Sequence, residues 1–274
     1  MPAESPGVLK DFAIRTVSAL VLGAVILGVL FFGGVWGLAA AVAAVAALCV
    51  SELYALARRE SRLPNEIFGL IAVIAMPLAA AAYGPSGLTA VVGALIIASL
   101  AWHVFFRQVH LTDTAVTVFG AVYVGFTLAH LVLIRQMDNG TLIALTMIIS
   151  IWVNDVFAYI VGSVVGKHRL APTISPKKTV EGLIAGSAAT IAVWVVIGLA
   201  GDLGLTMGWL IVMGVGASVG AVVGDLAESR IKREAAVKDS GRLLPGHGGF
   251  LDRFDGFILI CIVTYYLLIV AGVQ

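Results

Sequence analysis

Asp225, Glu228, Ser229 and Lys232 follow one another at i, i+3, i+4 and i+7, and Asp252 and Asp255 stand three apart with Arg253 between them. On helices, the first four form one polar stripe and the last two carboxylates share a face, so Asp225, Asp252 and Asp255 could converge. Between the two groups runs SGRLLPGHGG, residues 240–249. Its glycines and proline exclude a regular helix and let backbone N–H groups approach an anion closely. Residues 224–256 hold more than a third of the chain's Lys, Arg, Asp and Glu, and long apolar runs flank them on both sides. A solvated loop of mixed charge is the plain alternative. Carboxylates that recur at an apolar boundary, where desolvation is expensive, favour an active site held at a membrane surface.

Acidic residues beside basic ones, with no supported Cys–His or Ser–His–Asp arrangement, point to divalent cations and phosphates rather than to acyl transfer. Carboxylates hold Mg²⁺ through few direct ligands and leave positions for phosphate oxygens, while lysines and arginines neutralise a departing pyrophosphate. Two further groups lie upstream. Asn154 and Asp155 sit well inside an apolar run, and Asp155, Tyr159, Gly162 and Gly166 share one helical face. An ionisable residue there is a functional candidate, although a buried Asp tying two helices together would look the same. Ser175-Pro-Lys-Lys-Thr179 reads as a turn opening a helix. It could clamp phosphate with Lys177, Lys178 and the helix N-terminus, or simply anchor the chain to anionic lipid, and spacing alone leaves both open.

The stretch SRIKREAAVKDSGRLLPGHGGFLDRFD, residues 229–255, resembles the signature of the phosphatidate cytidylyltransferases, also called CDP-diacylglycerol synthases. SPKKTVEG, residues 175–182, and Asp155 with Ala158, Tyr159 and Gly162 are similar to two other hallmarks of that family. The resemblance covers the C-terminal half firmly, whereas residues 1 to about 140 match only as a set of hydrophobic spans. It implies an enzyme joining CTP to phosphatidic acid with release of pyrophosphate, using Mg²⁺ with room for a second metal ion. Asp225, Asp252 and Asp255 would be the metal-binding set. Lys232, Lys238, His247 and Arg253 would contact phosphate or substrate, as would Lys177 and Lys178. Asp155, Ser175, Thr179, Glu181, Ser229, Gly248 and Gly249 would complete the substrate site. No nucleic-acid partner is expected, and the oligomeric state, a homodimer included, stays open. The rivals are a CTP-dependent lipid kinase, a CDP-alcohol phosphotransferase, whose D-G-x2-A-R opening is absent, and a transporter, for which the two halves differ too sharply in charge.

The elements that must position these residues are membrane helices. With 60% hydrophobic and 12% charged residues in 274, the chain lies far from the roughly one quarter charged of soluble domains. Both cysteines, Cys49 and Cys261, fall in apolar runs and read as small buried hydrophobes. Runs at 16–32, 35–56, 67–83, 87–105, 116–134, 142–165, 180–201, 205–228 and 256–273 suit a bilayer core that takes about 20 helical residues. The expected fold is therefore an all-α polytopic bundle of about nine spans, with 1–141 as scaffold and 142–274 as catalytic region. With the N-terminus cytoplasmic, 16 of 17 Lys and Arg collect on that side and only Arg135 lies opposite. That puts the charged stretch on the cytoplasmic face of a cell membrane, where nucleotides are. The first four spans carry little chemistry, and His103, His110 and His130 read as packing or interfacial residues.

Overall fold

The computed structural model describes residues 20–21, 23–241, 243 and 248–273. Its order is α1 (Gly23–Phe32), α2 (Gly34–Arg59), α3 (Glu66–Phe105), α4 (Leu111–Gly120), a π-helical turn (Ala121–Phe126), α5 (Thr127–Gln136), α6 (Gly140–Val165), β1 (Arg169–Ala171), β2 (Ser175–Thr179), α7 (Val180–Ala200), α8 (Met207–Glu234) and α9 (Leu251–Ala271). Among the described residues, seven helical stretches are long and apolar enough to cross a membrane, with α4, the π turn and α5 forming one of them.

That number and the expected nine differ first because α3 is two passes. A straight helix of its 40 residues would be about 60 Å long. Its two ends nevertheless meet one partner. Just before α3, the backbone N–H groups of Leu63 and Asn65 donate to Asp113 Oδ1 (2.8 Å) and Thr117 Oγ1 (2.7 Å) of α4, which begins a few residues after α3 ends. The chain turns back at Gly84, with φ 62° and ψ −147°, a conformation open to glycine, followed by Pro85. There a Cβ on Gly87 would run into the Ala79 carbonyl and lie 2.8 Å from Tyr83 Cβ. The described chain therefore makes eight passes, and the shorter α1 stands where the first run was expected, with residues 16–19 and 22 of that run outside the described residues.

The helices pack through small residues, which let backbones approach closely where lipid supplies no hydrophobic drive. On α6 and α7, Gly162 faces Gly182, and Gly186 faces Asn154. Gly220 and Gly224 of α8 meet Ile260 and Asp255 of α9. A larger apolar core, including Tyr54, Met76 and Leu128, fixes α2 to α5. One departure from an all-helical chain is the antiparallel pair β1–β2, which joins α6 to α7. Thr179 ends β2 and caps α7, accepting from Gly182 N at 3.2 Å. The expected turn opening a helix is thus a short strand running straight into one.

Candidate active site

The polar stripe of α8 forms as its spacing requires. Ser229 Oγ donates to Asp225 Oδ1 (3.2 Å), and Lys232 Nζ lies 2.5 Å from Glu228 Oε2 one turn on. Because α8 runs on to Glu234 and α9 starts at Leu251, the site carboxylates of both lie on helices rather than in the loop. The two helices touch where Gly224 meets the Asp255 backbone, and Asp225, the next residue of α8, lies in the electrostatic field of the Asp255 carboxylate.

β2 delivers the cation. Successive strand residues point to opposite sides, so Lys177 is exposed while Lys178 turns inward and pairs with Asp225 Oδ2. Asp155 of α6 lies in the field of Asp225, Lys178 and Arg253. Five of the expected residues are thereby brought together: Asp155, Lys178, Asp225, Arg253 and Asp255. Among the described residues no three acidic, His or Cys groups form a ready-made metal cage. Mg²⁺ needs none, since it is commonly held by one or two carboxylates with the rest of its shell from water and substrate phosphate. Asp225, paired with the Lys178 ammonium, and Asp255, on the α9 turn that Gly224 touches, fit that pattern.

Other expected residues stand apart from this cluster. Asp252 accepts through both oxygens from the protein itself: Oδ1 from Lys232 Nζ (2.6 Å), and Oδ2 from Ser240 N (2.9 Å) and Gly249 N (2.8 Å), with Ser240 Oγ 3.0 Å away. It ties together the backbone at residues 240 and 249. Gly248, at φ 84°, passes so close that a Cβ would lie 2.8 Å from Asp252 Oδ2. Thr179 is buried as the α7 cap and packs against Gly162 and Gly166, so it fills the space those glycines leave on their face of α6. Tyr159, on the same side of α6 by spacing, is 77% exposed. Glu181 takes His168, with Oε1 2.6 Å from Nδ1. Ser175 opens β2, Lys238 is exposed, and His247 lies outside the described residues.

Beside the cluster opens a groove of about 1240 Å³ between α1, α2, α5, α6 and α9. Its lining is almost wholly apolar, with Leu27, Val45, Ile151 and Phe257 among the walls, and its charged residues are Asp155 and Arg253. A molecule with a phosphate at one end and hydrocarbon at the other matches that division.

The family model of the cytidylyltransferase family matches residues 13–271. The chain belongs to the cytidylyltransferase family. The phosphatidate cytidylyltransferase of Mycobacterium bovis is 32% identical over 285 aligned positions, covering 94% of this chain and 89% of the relative. That of Bacillus subtilis is 40% identical over 149, or 54% of this chain and 55% of the relative. The Staphylococcus saprophyticus protein of the same name is 39% identical over 157, and this chain spans 60% of its length.

Two site residues escape sequence reasoning. Glu228 belongs to the recognised stripe, but its complete burial against Lys232 emerges only from the packing of α8. Glu52 comes from α2, in the supposed scaffold, and is buried. Its Oε2 accepts from Ser240 Oγ (2.9 Å) and Leu251 N (2.9 Å), and its Oε1 from Phe250 N (3.1 Å). The signal that could have found it is a charge seven residues before the end of a long apolar helix.

Proposed function

We propose that this protein transfers the cytidylyl group of CTP to phosphatidic acid, giving CDP-diacylglycerol and pyrophosphate, at the cytoplasmic face of the cell membrane. The carrying observation is the meeting of the apolar groove with the Asp155, Lys178, Asp225, Arg253 and Asp255 cluster. The diacyl part of the substrate lies in the groove, and Arg253 and Lys178 receive its phosphate. The names of the relatives supply cytidine and phosphatidate; the geometry supplies the amphiphile. Asp225 and Asp255 would hold Mg²⁺, which when bound neutralises charge on the triphosphate and on the leaving pyrophosphate.

Transfer is direct. A phosphate monoester is already anionic near neutral pH, with a second pKa of about 6, so its oxygen attacks the α-phosphorus of CTP without a general base. As the new P–O bond forms, the α–β bridging bond breaks, and its electron pair leaves on pyrophosphate. Lys178 shields this charge, and the α8–α9 contact keeps attacking and leaving groups in line. The test is incubation of purified protein with α-labelled CTP, phosphatidic acid and Mg²⁺. CDP-lipid should appear, and omission of phosphatidic acid should leave the protein unlabelled. Covalent label on the protein, lost in Lys178→Ala or Lys238→Ala, would replace direct transfer with a lysyl intermediate.

A further inference from the structure

The first helical N–H groups of any helix lack partners within it. Phe250, which precedes α9, gives no side-chain cap. Glu52 supplies the cap from α2, accepting from Phe250 N and Leu251 N, 198 and 199 residues away in sequence. Its remaining hydrogen bond goes to Ser240 Oγ, which also lies 3.0 Å from Asp252 Oδ2. The backbone at residues 241 and 249 lies tight against this carboxylate: a Cβ on Gly241 or Gly249 would strike the Glu52 carboxyl group. Glu52 therefore grips both ends of the loop, at residue 240 and at residues 250–251. Just past the second grip come Arg253 and Asp255.

We infer that Glu52 is a positioning residue for nucleotidyl transfer: it ties Ser240 and the start of α9 to α2, and so sets where Arg253 and Asp255 stand against Asp225 and Lys178. The inference rests on the function proposed above, but the clamp can be read without any turnover. Glutamine at 52 keeps the shape and turns one acceptor oxygen into a donor, opposing the N–H and O–H groups aimed at it.

The experiment places a nitroxide label on Leu243→Cys, an exposed loop position, in the full-length protein in lipid nanodiscs. Glu52→Gln should narrow the spectrum as the loop is released, Ser240→Ala should narrow it from the loop side, and Glu52→Asp should fall between. In unlabelled protein, Glu52→Gln should lower kcat by about 10- to 100-fold, the scale of a misplaced reacting group, with KM for CTP moved by less than about threefold. Glu52→Gln/Ser240→Ala should lose no more than the worse single variant, because both release one clamp. A merely structural glutamate would lower expression and melting temperature, leave kcat per folded molecule intact, and multiply with Ser240→Ala. Unchanged spectra in Glu52→Gln and Ser240→Ala, or multiplicative losses in the double variant, would overturn the clamp. Failure of the wild type to form any CDP-lipid would sink the proposed function alone, since the spectra would still decide the clamp.

Discussion

Gly224→Ala should damage turnover far more than a single methyl group suggests. A Cβ at this position would lie 3.1 Å from the Asp255 carbonyl carbon and 3.1 Å from Gly256 Cα, and closer still to the Asp255 carbonyl oxygen. Carbon atoms pack best at about 3.5–4.0 Å, so α8 and α9 must part by roughly 0.5–1 Å, and the obstacle is backbone that cannot swing aside. Overpacking of this kind costs about 1–3 kcal/mol of stability. The larger effect falls on chemistry: Asp225 follows Gly224 directly, and a shift of about 1 Å in a reacting constellation costs about a hundredfold, equivalent to about 2.7 kcal/mol. Gly93 of α3 provides the control, because a methyl group there would meet nothing within 4 Å. Turnover is measured as labelled CDP-lipid formed per folded molecule, with a melting curve for each variant. Gly224→Ala should fall about 30- to 100-fold and Gly93→Ala should match the wild type. Wild-type turnover in well-folded Gly224→Ala would refute the idea that this helix contact sets the Asp225–Asp255 geometry.

Asp225→Asn should lower turnover by at least about a hundredfold with normal insertion, while Asp138→Asn, between α5 and α6, should stay within about twofold in the same assay. Lys232→Met should be a stability variant, losing about 3–5 kcal/mol through uncompensated buried carboxylates, whereas Lys178→Met should keep its melting temperature and lose about a hundredfold in turnover; melting and activity measured side by side separate them. A reporter fused after Gln274 should be active only outside the cytoplasm, and one inserted beside Lys238 only inside; the reverse at either site would break the topology.

What could be read in the sequence, and what could not, divides by the range of the interaction. The α8 stripe is local: Asp225 with Ser229 and Glu228 with Lys232 are one turn apart, and helical spacing alone pairs them. The hydrophobic runs likewise foretell the bundle, and even the break within α3 is marked by Gly84 and Pro85. β2 escapes notice because five residues rich in lysine carry no strand pattern, so the opposite fates of Lys177 and Lys178 could not be foreseen. Asp252 looks like Asp225 and Asp255 in spacing. Its difference comes from Ser240 and Gly249, which only the folded loop brings to it. Glu52 is beyond reach for the same reason on a larger scale, since its partners stand 188 to 199 residues away.

The contrast between the two inward lysines explains how a site so rich in charge can stand at an apolar boundary and still work. Lys232 is 12% exposed and lies between Glu228, at 0%, and Asp252, at 6%. Were it to move toward a substrate, two carboxylates would be left uncompensated where water is scarce, a loss far greater than one new phosphate contact returns. It is held in place as a strut. Lys178 is 29% exposed, and it pairs with Asp225, itself 33% exposed. If the proposed reaction holds, exchanging Asp225 for a phosphate oxygen would leave that carboxylate within reach of water, and free to take up the countercharge that accompanies a triphosphate. On the proposed reaction, ammonium and carboxylate would trade partners without stranding a buried charge, while Lys232, Asp252 and Glu52 tie Ser240 and the start of α9 in place.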